Sequence, residues 1–559
     1  MKSYARILAL LLAVIMMVSV FAGCADTPAS STDPSSSEPA SSEPASSEPA
    51  SSEPASSEPA SSEPASSEPA TSEPVEPSTS VVEPDVKDPT KAPEATQAPN
   101  ATATKKPEAT ATKKPEAEKV VDLGGFTLRI RSTTVKNFLD NKSPDKYDKD
   151  IQDRINAVAK KYNFKIVTTS CVNEAAFEDH EAILKAVQSG SKTVGHFVVT
   201  SVPLGLAGYV QGIYQNLNTI DKSTGFDAKD STRFWQDMTA AATHEGGQYG
   251  VAIITGSQNL TPGGNGIFWM FNRNVVKQGG YSAEALYKLV REYKWTLDEA
   301  TKIMEACYVP DANGDGVPEV WGLTSYQRQH KYYIQLDGGS TVRKVNGKYT
   351  YTASDDNVMS VLNWLHEIYV TKKLANGGLG ASAARETVRT GKTAFLQCAH
   401  NYITQTQYIG ANEAAYVANV SILPSPVGSN QIKKKVYINP TTNSKVFAMP
   451  ATIKGDEKTK AATAFAAICK AVNSVEENVQ RMINEKRLND ADMIDMYKNY
   501  LIKNADGDLG YISETVGTSG VEPISVMVLD VTTGKFEAKA SVEKHAGKIQ
   551  NQIDKIFRQ

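Results

Sequence analysis

The sequence predicts an α/β protein of two lobes, carried behind a long stretch with nothing to fold around. Three observations lead there. Strand-like and helix-like segments alternate between Phe126 and Ser201, which implies a parallel sheet faced by helices. About 440 residues follow Lys119, more than one hydrophobic core usually holds. Residues 25–119 hold no Leu, Ile, Met or aromatic residue and offer almost nothing apolar to bury. Taken whole, the 559 residues are 40% hydrophobic and 22% charged with a net charge of −4, a mildly acidic balance unsuited to nucleic acid.

At the N-terminus, Lys2 and Arg6 precede the apolar run ILALLLAVIMMVSVF, which is too short to span a membrane comfortably. Residues 1–24 therefore read as a signal peptide. Its last four residues, Phe21, Ala22, Gly23 and Cys24, resemble a bacterial lipobox, with Phe21 where Leu is usual. The resemblance implies that Cys24 is acylated and becomes the first mature residue, since two or more acyl chains anchor stably. The alternative is a secretory peptide cleaved nearby with Cys24 incidental. Lipidation would hold the protein on the extracellular face of the cell membrane.

From Ser36 to Ala70 the unit SSEPA repeats seven times, and Pro, Ser, Thr, Glu and Lys dominate to Lys119. Such a segment cannot offset the entropy of ordering itself and reads as a disordered tether. As polyproline II its reach is at most about 290 Å, and as a flexible coil about 50–60 Å.

Folded sequence starts near Val120. FTLRIRS (126–132), FKIVTTS (164–170) and HFVVTS (196–201) have strand character. DIQDRINAVAKKY (150–162) carries Ile151, Ile155, Val158 and Ala159 on one helical stripe, and HEAILKAVQSG is a helix stopped by Gly190. In sheets of this kind ligands bind beyond the carboxyl ends of the strands. Here those ends are Ser132 to Val135 and Thr200 to Pro203, small and polar.

An ordered series of segments then resembles family 1 extracellular solute-binding proteins of the maltose-binding-protein type. GQYGVAIITG and GIFWMFNRNVVKQGGYSAEALYKLVREYKWTLDEATKIM contain an aromatic-rich strand, an Asn272-Arg273-Asn274 turn and a Trp295-Thr296 helix start. LDGGS, NGKYTY, VLNWLHEIYV, RTGKTAFLQCAHNY and ANVSILPSP follow in the family's order, and NSKVFAMPATIKGDEKTKAATAFAAICKAV resembles its returning strand and helix. The resemblance implies a two-lobed, hinged periplasmic-binding-protein-like (type II) fold. Its first lobe would comprise 120–247 and 423–475, its second 248–422 and 476–559. It further implies a monomer that hands a small solute, a sugar or oligosaccharide, to the permease subunits of an ABC transporter. Placing the family's contact regions on this chain points to Thr133, Thr134, Ser201, Thr255, Gln258, Tyr326, Arg328, Asn401 and Tyr402 as ligand-binding residues. Thr255, Gln258 and Tyr402 stand where maltose-type relatives tend to have acids and Trp, which argues against maltodextrin itself.

DANGDGVPEVWG (311–322) matches most of an EF-type loop, with Asp311, Asn313, Asp315, the Val317 carbonyl and Glu319 at the ligand positions and Gly316 at the turn. Position 12, normally a bidentate Glu, is Gly322. Either a structural calcium takes a further ligand from elsewhere, or the loop is a metal-free turn closed by Asx hydrogen bonds. KNADGDLG (503–510) is a poorer copy.

RETVRTGKTAF ends like a P-loop, but Glu386 occupies the first Gly position and would repel phosphate. HEGGQ at 244 lacks the second His of a zinc protease helix. In YQRQHKYY (326–333), Arg328, His330 and Lys331 would meet an anionic ligand or form a solvated loop, the latter being the simpler reading. Trp269, Phe268, Phe271, Trp321 and Trp364 read as packing residues. Cys171, Cys307, Cys398 and Cys469 are widely separated in apolar settings and read as free thiols. No enzymatic motif emerges. The alternatives to a transport role are a surface receptor for a sensor kinase, or a carbohydrate-active enzyme whose carboxylate pair would meet only in three dimensions.

Overall fold

The structure, a computed structural model, describes residues 120–140, 146–171, 177–255, 257, 265–326, 330–399, 401–404, 418–442, 445–502, 505–506 and 523–559. Cys24, the tether, Gln258, Arg328 and most of 503–510 lie outside these residues.

The opening elements follow the predicted alternation: β1 (Phe126–Arg131), α1 (Thr133–Leu139), α2 (Lys146–Lys161), β2 (Phe164–Thr169), α3 (Phe177–Gln188), β3 (Phe197–Ser201) and α4 (Val202–Val210). β1 lies between β2 and β3 and is parallel to both. Parallel neighbours need a crossover, and the helices supply it. Leu128 and Phe197 of the strands are buried with Ile151 and Ile155 of the α2 stripe. Gly190, two residues past α3, has φ +73°, the left-handed stop expected after a helix. A hairpin of β4 (Thr243–His244) and β5 (Gly247–Gln248) turns through Glu245 and Gly246, both at positive φ, as a type I′ turn requires. This hairpin disposes of the HEGGQ decoy.

The second lobe contains β6 (Asn265–Asn272), α5 (Leu297–Cys307), β7 (Trp321–Tyr326), β8 (Val342–Val345), β9 (Lys348–Tyr351), α6 (Asp356–His366), β10 (Ala375–Leu379), α7 (Ala381–Arg389), β11 (Thr393–Ala399), β12 (Val420–Leu423) and β13 (Asn439–Thr442). The chain returns to the first sheet as β14 (Lys445–Ala448), continues through α8 (Gly455–Val472), and ends in the second lobe with α9 (Val475–Asn484) and α10 (Ala538–Phe557). The second sheet runs β10-β7-β11-β6-β13, with β12 also paired to β6.

The residues that carry the family resemblance are structural. Phe268, Trp269 and Phe271 are buried, and Trp269 meets Trp295 and Tyr333 edge-on. The Asn272 side chain accepts from the Asn274 and Val275 amides and so starts the next helix. Trp295 Nε1 donates to the Pro424 carbonyl at 2.9 Å, and Thr296 Oγ1 accepts from the Glu299 amide at 3.0 Å to cap α5. Trp364 Nε1 donates to Thr301 Oγ1 at 2.9 Å.

The change of core falls later than the lobe boundaries drawn from sequence. Val251 and Ile253 pack in the first core, whereas Leu423, Val427 and Tyr437 pack in the second. The reason is local: segment 248–255 continues beside the first sheet, where Val251 bridges Phe447, and β13 pairs with β6 before the chain crosses back. Among the described residues, no helix is long and apolar enough to cross a membrane.

Candidate ligand site

The strand directions place both carboxyl edges at one boundary. In the first sheet β1, β2 and β3 end at Arg131, Thr169 and Ser201. In the second, β7, β10 and β11 run parallel and end at Tyr326, Leu379 and Ala399. β6 is antiparallel to β11 and begins at this same edge, since Ala399 lies opposite Ile267. Thr442 of β13 lies opposite Asn265, and three residues later Lys445 lies opposite Ser201. Three Cα steps span at most about 11 Å, so the two edges face one another across a narrow gap. The crossing from Thr255 to Asn265 enters the second sheet at the same place.

Of the expected ligand residues, the structure brings Thr133, Thr134, Ser201 and Thr255 to the first edge, and the backbone of Tyr326 and Asn401 with Tyr402 to the second. Several already have internal work. Thr133 Oγ1 accepts from the Cys171 amide at 2.9 Å and donates to its carbonyl, tying the end of β2 to the start of α1. Ser201 is buried and its Oγ accepts from the Leu204 amide, capping α4, as Ser132 caps α1. Thr255 is buried and accepts from the Ser257 amide at 3.1 Å. Tyr402 is buried beneath the Arg385 guanidinium, 4.9 Å from its ring centre. Small polar residues at strand ends thus serve caps first, which sequence alone does not separate from ligand contact.

Sequence reasoning missed the groups that brace this rim. Ser257 donates to Asp148 at 2.5 Å, both buried, and the buried Arg487 donates to the Ile403 carbonyl at 3.0 Å, holding the turn that carries Tyr402. These pairs join positions over 80 residues apart, and nothing local marks them.

His330 corrects the reading of YQRQHKYY as a solvated loop. The ring is buried with Tyr332 and Tyr333, its Nε2 3.3 Å from Tyr369 Oη, and burial pushes its pKa down to about 4. It is therefore neutral at pH 7 and no anion ligand. Tyr369 Oη in turn sits 2.6 Å from Ser325 Oγ, one residue from the β7 end.

The DANGDGVPEVWG loop lies between α5 and the amino end of β7, opposite the ligand edge. Asp311 accepts from the Gly314 and Gly316 amides, Asn313 from Asp315 and Asp315 from Val317. Asn313 Nδ2 donates to Glu319 Oε1 at 2.7 Å, and Lys392 Nζ donates to Glu319 Oε2 at 3.2 Å. Position 12 is closed to a side chain: a Cβ on Gly322 would stand 2.7 Å from Met304 Cβ. Among the described residues no group of three or more His, Cys, Asp or Glu side chains is placed to share a metal. As placed, the loop is closed on its own amides, with a lysine on its last carboxylate and no side chain at position 12.

Among solved structures, the chain is similar to the sugar-binding protein MalE from the phytopathogen Xanthomonas citri, with a TM-score of 0.52 and 10% identity over 78% of this chain and 99% of that one. It is also similar to the cyclic alpha-maltosyl-1,6-maltose binding protein from Arthrobacter globiformis, with a TM-score of 0.50 and 10% identity over 77% and 100%. This chain has the two-lobed binding-protein fold. No family model and no curated protein matches the sequence. The rim described above borders the gap between the two carboxyl edges.

Proposed function

We propose that the protein captures a sugar or oligosaccharide between its lobes, without transforming it, and delivers it to the permease of an ABC importer. The observation that carries this reading is the pair of facing carboxyl edges, joined by short crossings and bordered by Thr133, Thr134, Thr255 and Tyr402. Two similar structures are named for the sugars they bind, which supports a carbohydrate as the solute. Hydroxyls and an aromatic ring suit a neutral polyol, and burial of His330, which disfavours its charged form, takes that side chain away from the argument for an anion. Lipidation at Cys24 and a long tether would keep the folded part outside the cell, within reach of the permease.

The test is a thermal-shift screen of sugars, sugar acids, peptides and polyamines. A ligand at 100 times its dissociation constant adds about 2.7 kcal/mol to stability. A shift from a carbohydrate is expected; a shift confined to another class would overturn the sugar assignment. Replacing Cys24 by Ala is expected to move the protein from the membrane fraction to the medium.

A further inference from the structure

Apart from α4, whose Leu206 and Ala207 pack on the second core, the described residues change core between Ile253 and Ile267, between Tyr437 and Phe447, and between Val472 and Val479. Two of these passages are held by neighbouring residues on the first turn of α2. Tyr147 packs against the first core, and its hydroxyl donates to the Ser474 carbonyl at 2.7 Å. Burial pushes that hydroxyl up to about 12, so it stays a proton donor. Asp148 is 2% exposed and accepts from Ser257 Oγ at 2.5 Å, Ser257 being 1% exposed. Beyond Ser474, the Arg481 guanidinium of α9 lies 4.8 Å from the Tyr147 ring centre, and Arg154 of α2 pairs with Glu477 through both its terminal nitrogens. The remaining passage is held in the first sheet itself, where Lys445 pairs with Ser201.

We infer that Tyr147 and Asp148 are positioning residues that fix the first and third connections to the first lobe, so that the start of α2 is the stationary point about which the second lobe swings. Ser257 lies two residues beyond Thr255, so the Asp148 pin also sets the register with which the crossing enters the ligand gap. A hinge held this way keeps Ser257 and Ser474 with the first lobe while the second lobe moves, as hinge closure requires.

This inference rests on the hinge-closing reading, and its test uses no ligand. Hydrogen–deuterium exchange of the full chain is compared with Tyr147→Phe and Ser257→Ala, which remove the hydroxyls bonded to the Ser474 carbonyl and to Asp148. Tyr147→Phe is expected to speed exchange about five-fold over 473–479 and leave 253–268 unchanged, and Ser257→Ala to do the reverse. Unchanged exchange in both, or faster exchange confined to α2 in both, would overturn the assignment, the second result marking a merely structural role. Failure of every carbohydrate in the thermal-shift screen to stabilise the unmodified chain would count against the sugar reading, whereas the two pins stand or fall on the exchange rates alone.

Discussion

Gly322 offers the sharpest check on the Asp311 loop, because it stands where a complete calcium loop would have its closing glutamate. The residue is buried in β7, and a Cβ there would lie 2.7 Å from Met304 Cβ and 3.1 Å from the Met304 carbonyl oxygen. Carbon atoms pack favourably at about 3.5–4.0 Å, so the overlap is close to an ångström, against a backbone and a fully buried side chain that have little room to yield. Overpacking of that size costs about 1–3 kcal/mol. Gly322→Ala should therefore lower the melting temperature by roughly 2–4 °C for each kcal/mol lost, and Gly322→Glu by more, because it also buries a carboxylate. Neither variant, nor the unmodified chain, should be stabilised by millimolar calcium after chelation. The assay is differential scanning calorimetry with and without the ion. A wild-type melting temperature for Gly322→Ala would refute the overpacking argument, and a calcium-dependent rise in any of the three proteins would restore the calcium staple.

Glu457 should make the first lobe acid-sensitive. Burial pushes its carboxyl up, but hydrogen bonds from Lys192, His196 and Arg129 more than offset this and bring it from 4.5 to about 2. A folded value below the unfolded one gives stability that is present above about pH 4.5 and lost as pH falls towards 2, and His196, held down by burial, acts in the same direction from about pH 6.5. Glu457→Gln should cost about 1–2 kcal/mol at pH 7, discounted for partial exposure, with the gap from wild type narrowing towards pH 3 in urea unfolding. In a chain beginning at Val120, Cys171, which is half-buried, should react with a thiol reagent under native conditions, while Cys307, Cys398 and Cys469 should react only after unfolding. Burial holds their thiols protonated, that of Cys307 at about 12.

The first lobe was legible because its signals are local. The Ile151 and Ile155 stripe, three short β-rich runs and the Gly190 stop each act over a few residues, and together they admit little besides a parallel α/β sheet. The second lobe was legible through Asn272, Trp295 and Thr296, whose capping and packing roles recur in order along the chain. The rim was legible only in outline. Ser201 and Thr255 look like ligand residues because they are small, polar and at strand ends, yet the same qualities suit a helix cap or a turn. Asp148 with Ser257, and Arg487 with Ile403, depend on contacts between distant positions, which the fold creates. His330 was misjudged because its charged neighbours in sequence say nothing of the depth at which its ring is buried.

The most direct measurement is small-angle X-ray scattering of the chain beginning at Val120, with and without a sugar taken from the thermal-shift screen. A compact chain of this length has a radius of gyration of about 22 Å. The account predicts that saturating sugar lowers the radius of gyration at constant monomeric mass, as the lobes close. An unchanged scattering curve at saturation would contradict it.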